Sequence, residues 1–259
     1  MRIRGYAPAT PCWVELASID PGRAQDFYAG LFRWEPAGDR FRLDGRAVAG
    51  LTRSGIGRPG GWLTYFATPD VEAAVRRVAS AGGWCLSRPA DAHGGRSAIV
   101  SDTGGAAFGL WQAGDFAGAQ TAGEPHTMTW PELVTEDHRL AVDFYAHAFG
   151  WILRGDGCAD GSRGDWLTAS HDAVAGLVPG VGRTRWRAAF QVADCDRAAD
   201  ACLDLGGRVV SEPAPMSLGT VAELADPYGA AFAVAAPAPA PAPTLSLDTL
   251  VGMDLTFPS

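Results

Sequence analysis

The sequence predicts an α+β fold built by tandem duplication of one domain, and two observations support this prediction. The run 13–34 returns without a gap as the run 130–151, an offset of 117 residues. Inside each copy, the order of one strand, one helix and several strands occurs twice. A repeat of this size is too long for a solenoid unit and is typical of a whole domain.

The elements of the first copy follow from local signals. Residues 12–17 alternate before a turn and predict a strand. Pro21 begins the first helix, because proline is well tolerated in the first helical turn. Asp70 is placed to cap the second helix. The second copy repeats these signals, with helices expected at 139–149 and 196–205. Further strands of the first copy are expected at 40–43, 47–52, 62–67, 84–86, 97–101 and 107–111.

Two segments of biased composition set the expected boundaries. Residues 113–123 are rich in Ala and Gly and form the expected linker between the copies. Residues 235–243 alternate Ala and Pro, which favours a stiff extended connector. The tail after it alternates apolar and polar residues, so it either adds an edge strand or lies on the other domain. The expected units are domain 1 at 1–119, domain 2 at 120–236, and the connector with its tail at 237–259.

Composition excludes several partners. The net charge of -8 argues against a nucleic-acid or anionic-membrane partner, since both require a basic face. No apolar run approaches the roughly 20 residues of a membrane span, and the start of the sequence lacks the apolar core of a secretory signal. We therefore expect a cytoplasmic protein whose partner is a small molecule.

The basic and sulfur-containing residues narrow the chemistry. All 21 basic residues are arginine, so catalysis through a lysine Schiff base is excluded. The five cysteines are odd in number and form no Cys-x-x-Cys pair. They are typical of reduced thiols and indicate neither a disulfide framework nor a zinc site.

The doubled order of elements, with the helix motif Asp-Phe-Tyr…Phe-x-Trp, resembles the vicinal oxygen chelate superfamily. This superfamily includes glyoxalase I, extradiol dioxygenases and bleomycin-resistance proteins. The closer resemblance is to two-domain actinobacterial members of the 27-kDa-antigen or "hydroxylase" kind. It implies four βαβββ modules, in which each pair closes a mixed sheet around a cup-shaped pocket. The segments that carry it are 11–16, 104–112, 124–125 and 226–230.

The resemblance also indicates where metal-using members hold their ligands, and these positions carry other residue types here. The first-strand positions are Trp13 and Trp130, and the last-strand positions are Gly109 and Ala233. Divalent metals require His, Cys or carboxylate ligands. We therefore expect no metal and no cofactor in either domain. The middle-strand positions fall near Leu63 or Thr64 and near Arg187 or Ala188.

A tryptophan and a carboxylate stand two residues apart on the first strand of each domain, as Trp13 with Glu15 and as Trp130 with Glu132. Residues two apart on a strand share a face, so both pairs are expected to face a cup. One interpretation is structural, with the indole filling space and the carboxylate bonded to an arginine or an amide. The other is an aromatic platform beside a carboxylate whose raised pKa suits it to general acid or base catalysis.

Two loop histidines complete the candidate catalytic set. His93 lies in a Gly-rich loop, and His126 lies just before the first strand of the second domain. A histidine at the mouth of a cup is suited to proton transfer, although most loop histidines only face solvent. His138 and His147 are expected to be exposed. The remaining candidate ligand-binding residues are Trp62, Phe66, Trp111, Trp186, Arg187 and Phe190.

Two functions remain open on the sequence. The first is a metal-independent isomerase, cyclase or lyase that uses Glu15 or Glu132 on a small aromatic or polyketide-like metabolite. The alternative is a non-catalytic protein that binds and sequesters such a compound, as resistance members of the fold do. A scaffold role is a third hypothesis. We expect a monomer, because the duplication supplies within one chain the partner that single-domain relatives find in a second copy.

Overall fold

The computed structural model describes residues 3–55, 60–155, 163–216 and 219–238, and these residues form a mixed α+β fold. The predicted fold class is confirmed. In the first repeat the elements are β1 (Pro11–Ser18), α1 (Pro21–Phe32), β2 (Glu35–Ala37), β3 (Arg40–Leu43), β4 (Arg46–Arg53), β5 (Gly61–Ala67), α2 (Val71–Ser80), β6 (Trp84–Ala92), β7 (Gly95–Ser101) and β8 (Ala107–Ala113). In the second they are β9 (Glu132–Thr135), α3 (His138–Phe149), β10 (Ile152–Arg154), β11 (Gly164–Leu167), β12 (Ala173–Pro179), β13 (Arg185–Arg187), β14 (Ala189–Gln191), α4 (Cys195–Asp204), β15 (Arg208–Met216), β16 (Gly219–Ala225) and β17 (Ala231–Pro237).

An aspartate begins each of the four described helices. Its side chain accepts a hydrogen bond from the backbone N–H three residues later, as Asp70 does from Ala73 at 2.8 Å. This bond satisfies one of the four N–H groups that a helix leaves open at its start. The other N-capping residues are Asp20, Asp137 and Asp194.

The strands of each repeat form sheets of equivalent order. In the first repeat one sheet of eight strands has the order β2-β3-β4-β1-β5-β8-β7-β6. The second repeat has the same order in two sheets, β10-β11-β12-β9-β13 and β14-β17-β16-β15. The break falls at Ala188, whose carbonyl accepts from the backbone N–H of Ala233 at 2.8 Å. The expected pairing of two modules within each repeat is therefore present in the sheets.

The helical layers pair differently, because they join residues of both repeats. Helix α1 packs against α4, and α2 packs against α3. One core contains Phe27 of α1 together with Phe232 of the second repeat, and the other contains Phe66 together with Phe144 of α3. Each repeat therefore has its own sheets but shares its helical cores with the other repeat.

Two equivalent hydrogen-bond chains cross between the repeats in these cores. Tyr28 donates to Asp226 at 3.3 Å and accepts from the indole of Trp62 at 2.9 Å. The second hydrogen-bond chain has the same three residue types, with the tyrosine and tryptophan in the second repeat and the aspartate in the first. There Tyr145 donates to Asp102 at 3.0 Å and accepts from Trp186 at 2.7 Å. These bonds satisfy polar atoms that burial would otherwise leave without partners.

The segment between the repeats has defined contacts, and the expectation for one histidine is wrong. The stretch expected as a linker lies along the first sheet, where Ala119 and Gln120 bond the backbone of Cys12 and Ala47. His138 is buried rather than exposed, because it opens α3 against the core. The connector and tail from residue 239 onward lie outside the described residues.

Two further features concern the part of the chain that the structure describes. No helix there is long and apolar enough to cross a membrane. Four of its cysteines are free thiols, while Cys158 falls outside the described ranges.

Candidate ligand-binding cups

The face of β1 that points away from the helices carries the first Trp–Glu pair. Val14 and Leu16 pack into the helical core, so the alternation of the strand places Trp13 and Glu15 on the opposite face. A Cβ atom on Gly50 of β4 would lie 2.8 Å from Cγ of Glu15 and 3.0 Å from Nε1 of Trp13. A glycine at this position therefore makes room for both side chains. We call this face of the first sheet cup 1.

The second repeat reproduces this arrangement on its own helix-free face, which we call cup 2. A Cβ atom on Gly176 of β12 would lie 2.9 Å from Nε1 of Trp130 and 3.1 Å from Cγ of Glu132. The glycine belongs to the repeated Ala-Val-Ala-Gly-Leu segment. The expectation that each Trp–Glu pair shares the face opposite the helices agrees with this geometry.

Aromatic side chains fill one half of cup 1. Trp13 meets Phe116 edge to face at 5.0 Å, and Tyr65 meets Trp111 edge to face at 6.2 Å between ring centroids. The indole N–H of Trp111 donates to the carbonyl of Phe116 at 3.1 Å. A Cβ atom on Gly109 would lie 2.0 Å from the ring of Tyr65. Gly109 stands at the last-strand position where metal-using members carry a ligand, and the ring of Tyr65 fills the space that a side chain there would need.

Glu15 heads a chain of titratable side chains that runs from cup 1 to the surface. Its Oε2 lies 3.2 Å from Nε2 of His93, and Nδ1 of His93 lies 2.5 Å from Oδ2 of Asp39. The exposed fractions of the three side chains are 2% for Glu15, 19% for His93 and 54% for Asp39. The hydrogen bond to Glu15 raises the pKa of His93, burial opposes this, and the bond to Asp39 adds to it. The structure thus brings two of the candidate catalytic residues together.

The other half of cup 1 is open, with a cavity of about 320 Å³. Leu63, Leu86 and Ile99 supply apolar walls, and Glu15 lies at the cavity surface. Arg183, from the loop that precedes β13, contributes a cation from the second repeat.

Cup 2 contains a larger cavity of about 520 Å³. Trp130 is half-buried on its wall, and Ala189 and Ala235 line it where cup 1 carries aromatic rings. The other uncharged residues of the wall are Thr129, Gly155, Gly164, Gly176, Gln191, Met216, Gly219, Thr220, Val221, Ala236 and Pro237.

A network of ion pairs forms the charged end of cup 2. Glu132 accepts from the guanidinium groups of Arg163 and Arg187, one on each carboxylate oxygen. Arg187 also donates to Glu223 at 2.9 Å, and Arg185 reaches Glu223 at 3.2 Å. Burial alone would lower the pKa of Arg187, but the two carboxylates outweigh this and raise it. Of the two interpretations of the Trp–Glu pair, the contacts of Glu132 therefore match the one in which the carboxylate is bonded to arginine.

The structure places His126 away from both cups. Its backbone N–H donates to Gln191 at 2.7 Å, and its carbonyl accepts from the indole of Trp34 at 2.7 Å. Its ring lies beside Phe32, and burial followed by the charge of Arg33 lowers its pKa. His126 therefore bonds both repeats through its backbone and is not among the residues that line either cavity.

Four candidate ligand-binding residues lie in the helical cores instead of the cups. Phe66 and Phe190 are fully buried there, because they point to the helix side of their strands. Trp62 and Trp186 bond the core tyrosines, although each also reaches the edge of the smaller cavity.

The described residues do not fit a resident metal. They contain no group of three or more His, Cys, Asp or Glu side chains that could hold an ion. The carboxylates of cup 2, Glu132 and Glu223, are bonded to guanidinium groups, whose charge opposes a nearby divalent cation. In cup 1, Glu15 and Asp39 contact opposite ring nitrogens of His93, so these three side chains do not converge on one ion.

Comparison with known proteins gives one family-model match and relatives that align over most of the chain. A model of a glyoxalase-like domain matches residues 128–235. The chain is 36% identical over 258 residues to the anthracycline biosynthesis protein DnrV of Streptomyces peucetius, covering 88% of this chain and 94% of that protein. It is 37% identical over 249 residues to the putative glyoxylase CFP32 of Mycobacterium bovis, covering 88% of this chain and 95% of that protein.

Solved structures with low sequence identity share the fold. The Mn(II)-bound glyoxalase from Novosphingobium aromaticivorans aligns with a TM-score of 0.62 at 18% identity, over 89% of this chain and 83% of that chain. Homoprotocatechuate 2,3-dioxygenase from Arthrobacter globiformis gives the same TM-score and identity over 90% and 82%. The module order and the cups define a glyoxalase-like protein with a duplicated domain. The chain belongs to the vicinal oxygen chelate superfamily, which confirms the resemblance found in the sequence.

Several residues of the cups escaped the sequence analysis. Arg163 and Glu223 lie far apart in the chain and carry no motif. Asp39 sits in a turn, and Phe116 sits in the apparent linker. The signal available in the sequence was a difference between the repeats, because the second repeat has Glu223 where the first has Ile99.

Proposed function

We propose that cup 2 binds a small, flat aromatic metabolite of polyketide-like character and that the protein holds this compound without a metal. The observation that carries the proposal is the cavity of about 520 Å³ that combines the half-buried indole of Trp130 with an ion-paired end at Glu132 and Arg163. Indoles offer a large flat surface for stacking, and a few placed polar groups fix the orientation of a ligand.

The class of ligand is supported by the cavity and by one relative. Trp130, Met216 and Val221 give the cavity an apolar wall suited to fused rings. The guanidinium of Arg163, which lies beside Met216 and Glu132 at the edge of this wall, is a donor for a phenol or ketone oxygen. The relative DnrV is an anthracycline biosynthesis protein, which supports a role for this chain in secondary metabolism.

The charge pattern favours holding a ligand over converting it. Among the described residues that line cup 2, each charged side chain has a partner of opposite charge. Glu132 is bonded to Arg163, and Arg154 is bonded to Asp165 at 2.8 Å. A general base requires a free basic atom within reach of the ligand proton. The ion pairs engage both carboxylates of the wall.

A second candidate function is metal-independent isomerisation, cyclisation or elimination at Glu132. It is favoured by the position of Arg163, which is 37% exposed beside a carboxylate that is 5% exposed. If Arg163 turned to a ligand carbonyl, one oxygen of Glu132 would become available. Glu132 would then take a proton from the carbon next to that carbonyl, while Arg163 stabilises the oxyanion.

Titration with a dihydroxyanthraquinone, followed by tryptophan fluorescence and calorimetry, tests the proposal. We expect saturable binding of one equivalent in cup 2. The triple variant Ala189→Tyr, Ala233→Gly and Ala235→Trp places the filling rings of cup 1, with the glycine that the tyrosine requires, into cup 2. It should weaken binding by at least about tenfold, or 1.4 kcal/mol. A matched control, Leu63→Arg with Ile99→Glu, alters cup 1 and should leave this binding unchanged. Equal affinity in the parent and the triple variant would contradict a site in cup 2.

The Glu132→Gln variant separates holding from catalysis. An anthraquinone has no hydrogen on the carbons next to its carbonyls, so this arm uses 8-hydroxy-1-tetralone as the probe, whose ring carbon next to the carbonyl carries two hydrogens. Incubation of this bound probe in D₂O, followed by NMR, reports exchange of these hydrogens. A holding protein shows no exchange above the free probe. Exchange that depends on Glu132 would instead support the enzymatic alternative.

A further inference from the structure

The open half of cup 1 has the features of a second binding site. Its cavity of about 320 Å³ is lined by the apolar side chains of Leu63, Leu86 and Ile99. This volume lies at the lower end of the range for small-molecule pockets, roughly 300–1,000 Å³. Arg183 borders the cavity from the second repeat, so residues of both repeats form it.

The cavity exists because two positions differ between the repeats. From Trp62 onward the repeats are offset by 124 residues, because Trp62 corresponds to Trp186 and Phe108 to Phe232. Leu63 is therefore equivalent to Arg187, and Ile99 is equivalent to Glu223. In cup 2 these two side chains meet in an ion pair of 2.9 Å that occupies the space between the strands. Cup 1 has shorter apolar side chains there and leaves the same space open.

Glu15, a charged residue of the cavity, is connected to the protein surface through His93 and Asp39. Glu15 lines the cavity and is 2% exposed, while its Oε2 is 3.2 Å from Nε2 of His93. His93 continues to Asp39 at 2.5 Å, and Asp39 is 54% exposed. The carbonyl of His93 accepts from Arg40 at 2.6 Å, which fixes the loop that carries the imidazole. A proton therefore has a continuous path of three side chains between the cavity and the surface.

We propose that this cavity binds a small apolar molecule with one phenolic or enolic hydroxyl, which donates to Glu15, and that His93 and Asp39 pass protons between the site and solvent. The apolar walls select a hydrocarbon ring, and the carboxylate selects a hydrogen-bond donor. A ligand with its own carboxylate at this end would meet the like charge of Glu15. The site is separate from cup 2 and does not depend on the ligand proposed there.

The proton step balances within these residues. The ligand hydroxyl competes with His93 for Glu15, so the imidazolium loses part of its stabilisation. Its Nδ1 proton then passes to Asp39 and to water, and neutral imidazole remains. Among the described residues, the charged groups near this chain include Arg40, which contacts Asp39 at 3.6 Å, and Arg183 and Arg185 at the cavity. Arg185 is also bonded to Glu223 at 3.2 Å. Asp91, Arg96 and Asp115 lie along the outer side of the His93 loop.

The test uses 2-naphthol and a background in which cup 2 is blocked by Ala189→Tyr, Ala233→Gly and Ala235→Trp. We expect one equivalent to bind in this background. Glu15→Gln should weaken binding about tenfold, because a bond to a charged acceptor is lost. Leu63→Arg with Ile99→Glu should abolish binding by rebuilding the ion pair of cup 2. Ile99→Phe, a smaller change that fills the same space, guards against a variant that fails to fold.

Calorimetry in two buffers of different ionisation enthalpy measures the protons exchanged on binding. Near neutral pH we expect fractional proton release from the cup 2-blocked protein and none after His93→Gln is added. Absence of binding in that background, or binding that survives both filling variants, would overturn the site. Equal proton release with and without His93 would overturn the relay.

Discussion

Cup 1 and cup 2 share their strand order and their Trp–Glu pairs, yet they leave space in opposite halves. In one half of cup 1, the aromatic rings of Tyr65 and Trp111 fill the space. The equivalent residues of cup 2 are Ala189 and Ala235, which line an open cavity. The exchange of two aromatic rings for two alanines thus accompanies the change from a packed core to a pocket.

The other half shows the reverse exchange. Arg187 and Glu223 close cup 2 with an ion pair, whereas Leu63 and Ile99 leave cup 1 open. The common backbone thus offers two positions for a ligand in each copy, and side-chain size decides which is used. The comparison teaches that a duplicated fold can acquire two different sites without any change of topology.

The largest expected effect concerns the filled half of cup 1. Trp13 is fully buried, so Trp13→Ala should cost about 3–5 kcal/mol of unfolding free energy through the cavity it leaves. Trp130→Ala, at the equivalent but half-buried position, should cost much less. Urea unfolding of both variants measures the difference. Equal losses would mean that the two indoles have the same structural role and would remove the distinction between the cups.

The ion pairs of cup 2 give the next effect. Arg187→Leu leaves the buried carboxylates of Glu132 and Glu223 without their shared partner and should destabilise the fold by about 3 kcal/mol. Adding Glu223→Ile, which copies cup 1, should recover much of this loss, because both members of one pair are then apolar. The same urea experiment tests this. No recovery in the double variant would show that the ion pair cannot be replaced by the apolar pair of cup 1.

The sequence predicted the repeats and the positions of the helices because these depend on local signals. The N-capping aspartates and the alternation around Trp13 and Glu15 are visible in the chain itself. The pairing of α1 with α4 was not predictable, because four similar modules allow more than one arrangement of helices. Nor were the contents of the cups, since Phe116 reaches cup 1 from an apparent linker and Arg163 meets Glu132 only in three dimensions.

A smaller effect concerns ligand affinity. Trp130→Ala should weaken binding of the dihydroxyanthraquinone in cup 2 by about 1–3 kcal/mol, the value of a large buried apolar contact. Trp130→Phe keeps an aromatic face and should lose less. Calorimetric titration provides the measurement, and Trp13→Ala serves as the control in the other cup. Unchanged affinity in Trp130→Ala would show that the ligand does not stack on this indole.

The smallest expected effect is on the pH dependence of the unfolding free energy, which should differ between the charged groups of the two cups. His93 has a folded pKa raised above its unfolded value of 6.5, chiefly through its bond to Glu15. The stability it contributes is therefore complete below pH 6.5 and is lost as the pH rises through the higher folded pKa. We expect less than about 1 kcal/mol, because solvent screens a partly exposed pair. Urea unfolding at several pH values should show this decline in the parent and not in His93→Gln. Arginine holds the carboxylates of cup 2 and stays charged throughout this range, so Arg187→Leu should leave the decline in place. A decline that persists in His93→Gln would assign the titration to another group and remove this contrast between the cups.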